Sequence, residues 1–159
     1  MGFLSGKQLV ITGVLSKHSI AYGIAKACVR EGAQIALTYQ NERFLERIQK
    51  FSKELGDAPV FPLDVTIDSQ IDDLFKGIKN LWGGLDGLVH SIAFAPSESI
   101  EGDFLNGASR EAFRIAHDVS AYSYVALAKG ARHLMQGRKN PSLLALTYLG
   151  AVRTMPNYN

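Results

Sequence analysis

The sequence has only one cysteine and a net charge close to zero, and each of these features excludes some classes of protein. There is one cysteine, Cys28, so no disulfide can form within the chain, which fits a reducing cytoplasm. The 17 basic and 15 acidic residues leave a net charge of only +2, which gives no sign of a nucleic-acid partner. We also expect no zinc or iron site, because no metal-ligand spacing relates the histidines His18, His90, His117 and His133.

Long apolar runs are absent as well. No stretch approaches the roughly 18 apolar residues that a membrane-spanning helix needs, so we expect no membrane partner. Residues 1–7 lack a cationic region followed by a long apolar stretch and do not read as a signal peptide. The composition, 47% hydrophobic and 20% charged, is typical of globular proteins. We therefore expect a cytoplasmic protein in which residues 1–159 form a single domain.

What the sequence does contain is a regular alternation of short apolar runs with longer amphipathic ones. The apolar runs predict strands at 8–12, 34–39, 60–63, 85–92 and 142–147. The amphipathic segments predict helices at 20–31, from 41 to about 55, from about 67 to 82, and at 110–136. This alternation predicts an α/β fold, a doubly wound, Rossmann-like parallel sheet with helices on both faces. The chain ends without a closing strand or helix, so we expect the fold to be incomplete at the C-terminus.

Individual residues sharpen these predictions. Ser19 can cap the first helix, and Gly32 can close it as a C-terminal glycine. Pro62 places the third strand near a sheet edge or a strand end. The connection at 93–109 is predicted to be a loop, and because it is longer than most, a functional one.

In such a sheet, ligands bind beyond the carboxyl ends of the strands, where the strand order reverses. After the first strand, Gly13 would let the backbone turn tightly, and Ser19 and Ile20 would present N–H groups at a helix start. A helix N-terminus suits a pyrophosphate, because it carries unpaired donors and partial positive charge. The strict G-x-G-x-x-G spacing is absent, so an ordinary strand–loop–helix connection remains an alternative.

The residues after the second strand leave the nucleotide type open. No acidic residue stands there to bind ribose hydroxyls, but the Gln40 amide could hydrogen-bond adenosine. Arg43 is close enough in sequence to keep NADP in consideration.

The residues after the third and fourth strands complete the candidate nucleotide site. Asp64 could accept from the adenine amino group while the Val65 N–H faces a ring nitrogen. Alternatively, Asp64 caps the helix that begins near Ile67, and the two roles are compatible. After the fourth strand, Ile92 and its small neighbours would lie beside a nicotinamide.

Several motifs in order resemble one family closely. The segments 13–23, 38–41, 90–96 and 156–159, together with 115–118 and 147–150, look like the bacterial NADH-dependent enoyl-acyl-carrier-protein reductases of the short-chain dehydrogenase superfamily. Each motif alone is a weak signal. Their joint occurrence at family spacing, over the whole chain, is a strong one.

The resemblance implies a role for particular residues and for two partners. It implies NAD as cofactor, with NADH favoured by Gln40, an acyl carrier protein that carries the enoyl substrate, and a homotetramer. The residues implied are Gly13, Ser19 and Ile20 at the pyrophosphate, Gln40 at the adenosine, Asp64 and Val65 at adenine, Ile92 at the nicotinamide, Ala95 at the substrate, and Tyr148 and Tyr158 as active-site tyrosines.

The chemistry of enoyl reduction agrees with those tyrosines. Hydride adds to the β-carbon of a trans-2-enoyl thioester, and charge develops on the thioester oxygen as an enolate. That oxygen needs a hydrogen-bond donor in a dry site, which a phenol such as Tyr158 can supply before it delivers a proton. Tyr148 would pack against the acyl chain or assist.

Two other functions remain in consideration. Carbonyl-reducing or sugar-dehydrating members of the superfamily usually carry a serine upstream of the tyrosine, where this chain has Ala145, which argues against them. A nucleotide-binding module without catalysis is the third possibility.

We expect the 159-residue chain by itself to show little reductase activity. In the family a lysine that holds the nicotinamide ribose follows the catalytic tyrosine at a distance that falls beyond Asn159. The measurement is turnover of a crotonyl thioester with NADH, and a rate comparable to that of a full-length reductase would contradict this expectation.

Overall fold

The structure, a computed structural model, describes residues 2–154. Five strands are present in that range: β1 (Gln8–Ile11), β2 (Gln34–Tyr39), β3 (Val60–Pro62), β4 (Gly87–His90) and β5 (Ser142–Ala145). The α-helices are α1 (Ile20–Arg30), α2 (Glu42–Glu54), α3 (Asp68–Trp82), α4 (Ser97–Ile100), α5 (Phe104–Gly107), α6 (Arg110–His117) and α7 (Ser123–Met135). A π-helical turn, Asp118–Tyr122, joins α6 to α7, and a 3₁₀ turn spans Leu149–Ala151.

The five strands form one parallel sheet in the order β3-β2-β1-β4-β5. The order reverses between β1 and β4, because the chain proceeds outward from β1 on one side and then returns to pair β4 on the other. This confirms the predicted doubly wound α/β fold and places the crevice for a ligand beyond the carboxyl ends of β1 and β4. Pro62 lies in the edge strand β3, as predicted.

Both faces of the sheet are covered, because successive strand residues point to opposite sides. Val10 and Leu88 face α3 and α7 in one apolar cluster, while Ile11 and Val89 face α1 and α2 in the other. Cys28 of α1 is buried in this second cluster and behaves as a small apolar core residue. The near-continuous apolar character of the strands therefore reflects burial on two sides.

Local signals at helix ends are confirmed. The Ser19 hydroxyl accepts from the Tyr22 N–H and caps α1, and Gly32 follows that helix with a φ of 88°. Helix α2 begins one residue after the predicted Asn41. Helix α3 ends at Gly83, whose φ of 72° is the left-handed conformation that favours glycine.

The predicted helix at 110–136 is wrong as a single regular element, and the predicted loop at 93–109 contains two short helices. The helix is interrupted by the π-helical turn, and α4 and α5 occupy much of the connection. Helix α5 forms because the Asp103 carboxylate accepts from the Asn106 N–H at 3.1 Å and caps it. Periodicity alone registers neither a π turn nor a four-residue helix.

The predicted strands at 8–12, 60–63, 85–92 and 142–147 are all somewhat too long. The fourth shows the reason at both ends. Leu85 donates its N–H to Leu134 outside the sheet, and after His90 the chain turns away to contact the β1 terminus. Apolar residues continue beyond the hydrogen-bonded part of the strand because the connections at both of its ends also pack against the rest of the protein.

At the amino edge of the sheet, Asp86 joins the starts of three strands. Its side chain is buried, with 5% exposed, and it accepts from the Gln8 N–H at 3.0 Å, the Lys7 amine at 3.3 Å and the Arg138 guanidinium. Its backbone bonds to Gln8 and Ser142 as well. Burial by itself would raise the pKa of Asp86, but the hydrogen bonds from Arg138, Gln8 and Lys7 outweigh it and lower the pKa below its ordinary value.

Substituting Asp86→Asn is expected to reduce the free energy of unfolding by about 3 kcal/mol at pH 7, because Arg138 loses its buried partner. The folded-state pKa of Asp86 is lowered, so its contribution is present above the unfolded pKa of about 3.9 and is lost as pH falls through the folded value. Urea unfolding of both proteins across that acidic range is the measurement. The difference between them should shrink toward low pH.

The matched control is Asp73→Asn, which removes an exposed ion pair with Lys76 at 2.9 Å. Exposed pairs contribute little, so this variant should unfold like the unsubstituted protein. Equal losses in the two variants would contradict the role assigned to Asp86.

Candidate functional site

The carboxyl ends of β1 and β4 touch directly. Gly13 has a φ of 81°, and a Cβ built on it would lie 1.8 Å from the Ser91 carbonyl oxygen. The buried Thr12 hydroxyl donates to Val89 O at 2.9 Å and accepts from the Ser91 N–H at 3.2 Å. Only glycine fits at position 13, so the backbone turns sharply there, at the point where the reversal of strand order predicts a crevice for a ligand.

The N-terminus of α1 faces this crevice from the β1 side. Ser19 caps the helix, and its hydroxyl also donates to Ser16 O at 2.7 Å, which fixes the approach of the loop. Ile20 is the first helical residue and its side chain is 66% exposed. The Ser19 N–H, predicted to be presented to a ligand, instead donates to Ser16 O at 3.1 Å, so the donor offered at this helix start is that of Ile20.

Helix α2 holds the loop that precedes α1. The Lys17 amine lies 2.7 Å from a Glu54 carboxylate oxygen, and the Tyr22 hydroxyl donates to the same carboxylate at 2.7 Å. The hydrogen bond with Glu54 raises the pKa of Lys17, and the bond from Lys17 lowers the pKa of Glu54. Arg47 of α2 also donates to Leu15 O at 3.4 Å. Lys17 is therefore engaged with α2.

Gln40 and Asp64, predicted separately from two strand ends, lie together in the structure. The Gln40 amide donates to an Asp64 carboxylate oxygen at 3.4 Å, and Asp64 also accepts from the Thr66 N–H and hydroxyl. Burial by itself would raise the pKa of Asp64, yet the Thr66 and Gln40 bonds bring it below its ordinary value. The carboxylate is thus ionised at neutral pH.

The alternative in which Asp64 caps a helix is wrong. Helix α3 begins at Asp68 with Ile67 at the cap position, and Asp64 instead forms a turn with Thr66 ahead of it. Val65 points its side chain into the core, where it is 7% exposed. Only the Val65 backbone is therefore available to a ligand.

Beyond β4, Ile92 is half-buried against the apolar cluster of α3 and α7. His90, the last residue of β4, is buried, and its Nε2 lies 2.7 Å from Ser123 Oγ. The Ser123 hydroxyl donates to Val119 O at 2.6 Å. Burial lowers the pKa of His90, so its imidazole is neutral at pH 7.

An open groove of about 460 Å³ adjoins this strand end. Ala95 lies in it, as does Phe94, which is 56% exposed. The other lining residues come from the segment after β4, from α4, from α6 and from the π-helical turn, and are Ala93, Ile100, Ala116, His117, Ser120 and Ala121. Its walls are mainly apolar, which suits an acyl chain.

Of the two predicted tyrosines, the structure describes one. Tyr148 follows β5 at the carboxyl edge of the sheet, just before the 3₁₀ turn, and is 55% exposed. Tyr158 lies outside the described residues. Among residues 2–154, no cluster of three or more metal-binding side chains occurs.

Sequence reasoning missed Thr12, Ser120 and Ser123, each of which bonds the β4 terminus or the segment after it. The position of Thr12 could have been noticed in the sequence, because a hydroxyl directly after an apolar strand can hydrogen-bond the end of the neighbouring strand. The two serines lie inside a helical pattern, where nothing in the sequence indicates which strand they meet.

The strand order, the glycine turn after β1 and the open helix N-terminus define the class of α/β proteins that bind dinucleotides at the switch point of a parallel sheet. Comparison with known proteins narrows the class. The sequence model of the family described as Enoyl-(Acyl carrier protein) reductase matches residues 13–159. The chain belongs to that family.

Similar proteins support the same family assignment. The chain is 55% identical to the enoyl-[acyl-carrier-protein] reductase [NADH] FabI of Neisseria meningitidis, and 51% identical to that of Escherichia coli. Each match covers all of this chain and 60% of the relative. The chain thus spans about three fifths of their length.

Two crystal structures superpose closely. That of the enoyl-[acyl-carrier-protein] reductase (NADH) from Aquifex aeolicus has a TM-score of 0.95 at 45% identity, covering 99% of this chain and 62% of that one. The reductase from Anaplasma phagocytophilum, in complex with NAD, has a TM-score of 0.92 at 36% identity, covering 98% and 59%.

Gly13→Ala is expected to reduce the free energy of unfolding by about 2–3 kcal/mol, because the new Cβ meets Ser91 O and the residue must keep a positive φ. The control is Gly23→Ala in α1, where a Cβ meets no atom within 4 Å and helix propensity favours alanine by about 1 kcal/mol. Denaturant unfolding checks both. A Gly13→Ala protein as stable as Gly23→Ala would show that the two strand ends do not touch.

Proposed function

We propose that the protein takes part in reduction of the 2,3 double bond of a trans-2-enoyl-acyl-carrier-protein thioester by NADH, a step of fatty-acid elongation. The observation that carries the proposal is the contact of Gly13 with Ser91 at the point where the strand order reverses, beside the apolar groove of Ala95. The position expected for a nucleotide and a groove that suits an acyl chain thus adjoin the end of β4.

The described residues fit a dinucleotide. Gly13, Ser19 and Ile20 would hold the pyrophosphate, because Gly13 admits close approach and the start of α1 offers backbone donors. On the adenine side, Gln40, Asp64 and Val65 offer an amide, a carboxylate and a backbone N–H. Ile92 would flank the nicotinamide. When bound, NADH supplies the hydride.

NADH rather than NADPH is the proposed cofactor. The Gln40 amide is bonded to the ionised Asp64, and a 2′-phosphate near that carboxylate would meet charge repulsion. The Arg43 guanidinium could offset this repulsion, but it lies over the Phe44 ring instead, 4.6 Å from the ring centre.

On the substrate side, Ala95 and Phe94 would contact the enoyl thioester that an acyl carrier protein delivers. Tyr158 would donate a hydrogen bond to the thioester oxygen as negative charge develops there, and would then deliver a proton. Tyr148, at the carboxyl edge of the same sheet, would pack against the acyl chain or assist.

We also propose that residues 1–159 fold as one domain of a cytoplasmic homotetramer. One sheet joins the described elements, and the single cysteine suits a reducing compartment. Phe113, Tyr122 and Val125 expose half or more of their side chains along the helices that follow α5, an apolar surface that other copies could cover.

Neither nucleic acid nor a membrane is proposed as a partner. The net charge is close to zero for a chain of this length. Within residues 2–154, each helix is too short or too polar to cross a bilayer.

The decisive experiment uses NADH carrying deuterium at both C4 positions and a crotonyl thioester. We expect the butyryl product to carry deuterium at C3, detected by mass spectrometry even when turnover is slow. A Tyr158→Phe variant should lower the yield about 100-fold, the scale of a lost acid catalyst.

Tyr122→Phe is the control, since it removes the same hydroxyl group from an exposed helical position. Deuterium at the former carbonyl carbon would instead indicate carbonyl reduction. NADH binding without any labelled product would indicate a nucleotide-binding module.

A further inference from the structure

We propose that Ser120 is a positioning residue that holds the Phe94–Ala95 segment in the shape that receives the enoyl thioester. This inference rests on the proposed function and adds to it a residue that acts through the backbone of the groove. Ser120 belongs to the π-helical turn, Asp118–Tyr122, and not to any strand end.

One hydroxyl engages both backbone groups of Phe94. The Phe94 N–H donates to Ser120 Oγ at 3.0 Å, and the Ser120 hydroxyl donates to Phe94 O at 3.1 Å. The two residues are 26 positions apart in sequence, so these bonds fasten the segment after β4 to the helix that crosses it. A serine hydroxyl has the donor and the acceptor that this requires.

Two serines at the π-helical turn contact the end of β4 and the segment that follows it. Ser120, inside the turn, bonds Phe94, and Ser123, the first residue of α7, lies 2.7 Å from His90 Nε2. The two serines together hold the last residue of β4 and the segment beyond it. Extra residues inserted into a helix as a π turn are frequent at functional sites, because they redirect side chains.

The segment that Ser120 holds forms one wall of the groove. Ala93, Phe94 and Ala95 line it from one side and Ala116 and Ala121 from the other. Because Ser120 occupies both polar groups of the Phe94 backbone, these are not offered to the thioester. The effect of Ser120 is therefore on the place of Ala95 and the exposed Phe94 ring, and through them on substrate affinity.

The test compares Ser120→Ala, which removes both bonds, with Ser120→Thr, which keeps a hydroxyl. The Phe94 amide should exchange with solvent about tenfold faster in Ser120→Ala, since its acceptor is gone, and at a near-normal rate in Ser120→Thr. The KM for a crotonyl thioester, from the deuterium-transfer assay, should rise about tenfold in Ser120→Ala with a smaller change in kcat. The NADH dissociation constant should stay unchanged. Ser97→Ala, in the exposed first turn of α4 within the same connection, is the matched control.

Unchanged Phe94 exchange and unchanged thioester affinity in Ser120→Ala would overturn the proposal. So would a Ser120→Thr protein that behaves like Ser120→Ala, because then the hydroxyl is not what matters. If the unsubstituted chain transfers no deuterium, the proposed function fails, and the role of Ser120 is decided separately. In that case crotonyl-thioester affinity is read from the shifts of the Phe94 and Ala95 amide resonances in each variant.

Discussion

The close approach of β1 and β4 at their carboxyl ends is the constraint on which the site depends. Gly13 lies so near the Ser91 carbonyl that no side chain fits between them, and the Thr12 hydroxyl bonds Val89 and Ser91, the residues on either side of His90. With these ends fixed, the chain after β1 must turn away toward α1, and the chain after β4 must turn toward the groove. The crevice between the two departing segments follows from that contact and from the reversal of strand order.

Polar groups are concentrated at the two edges of the sheet, and the interior between them is apolar. At the amino edge, the buried Asp86 gathers Lys7, Gln8 and Arg138, which holds β1, β4 and β5 in register. At the carboxyl ends of β1 and β4, hydroxyl groups replace charges, since Thr12, Ser120 and Ser123 bond backbone and imidazole atoms. A charged cluster thus anchors the amino ends of the strands, whereas the carboxyl ends of β1 and β4 carry neutral groups.

Much of this could be predicted from the sequence. The five strands, their parallel arrangement and the capping of α1 by Ser19 are local or periodic properties, and the structure confirms them. The pairing of Gln40 with Asp64 was within reach, because both follow strands and carboxyl ends share one edge. The interruption of the helix after Arg110 was not, because a π turn leaves the apolar pattern almost unchanged. The role of Tyr158 stays a prediction.

By itself, then, the sequence determined the order and type of the main elements, the single buried cysteine and the motifs that mark the enoyl-(acyl carrier protein) reductase family. Tertiary structure alone decided that Lys17 turns to Glu54, that Asp64 faces Gln40 and that Ser120 holds Phe94. The physical reason is the separation in sequence over which each kind of interaction acts. Periodicity and capping act over a few neighbouring residues, whereas these contacts join residues 24 to 37 positions apart, and only packing of helices on the sheet brings them within bonding distance.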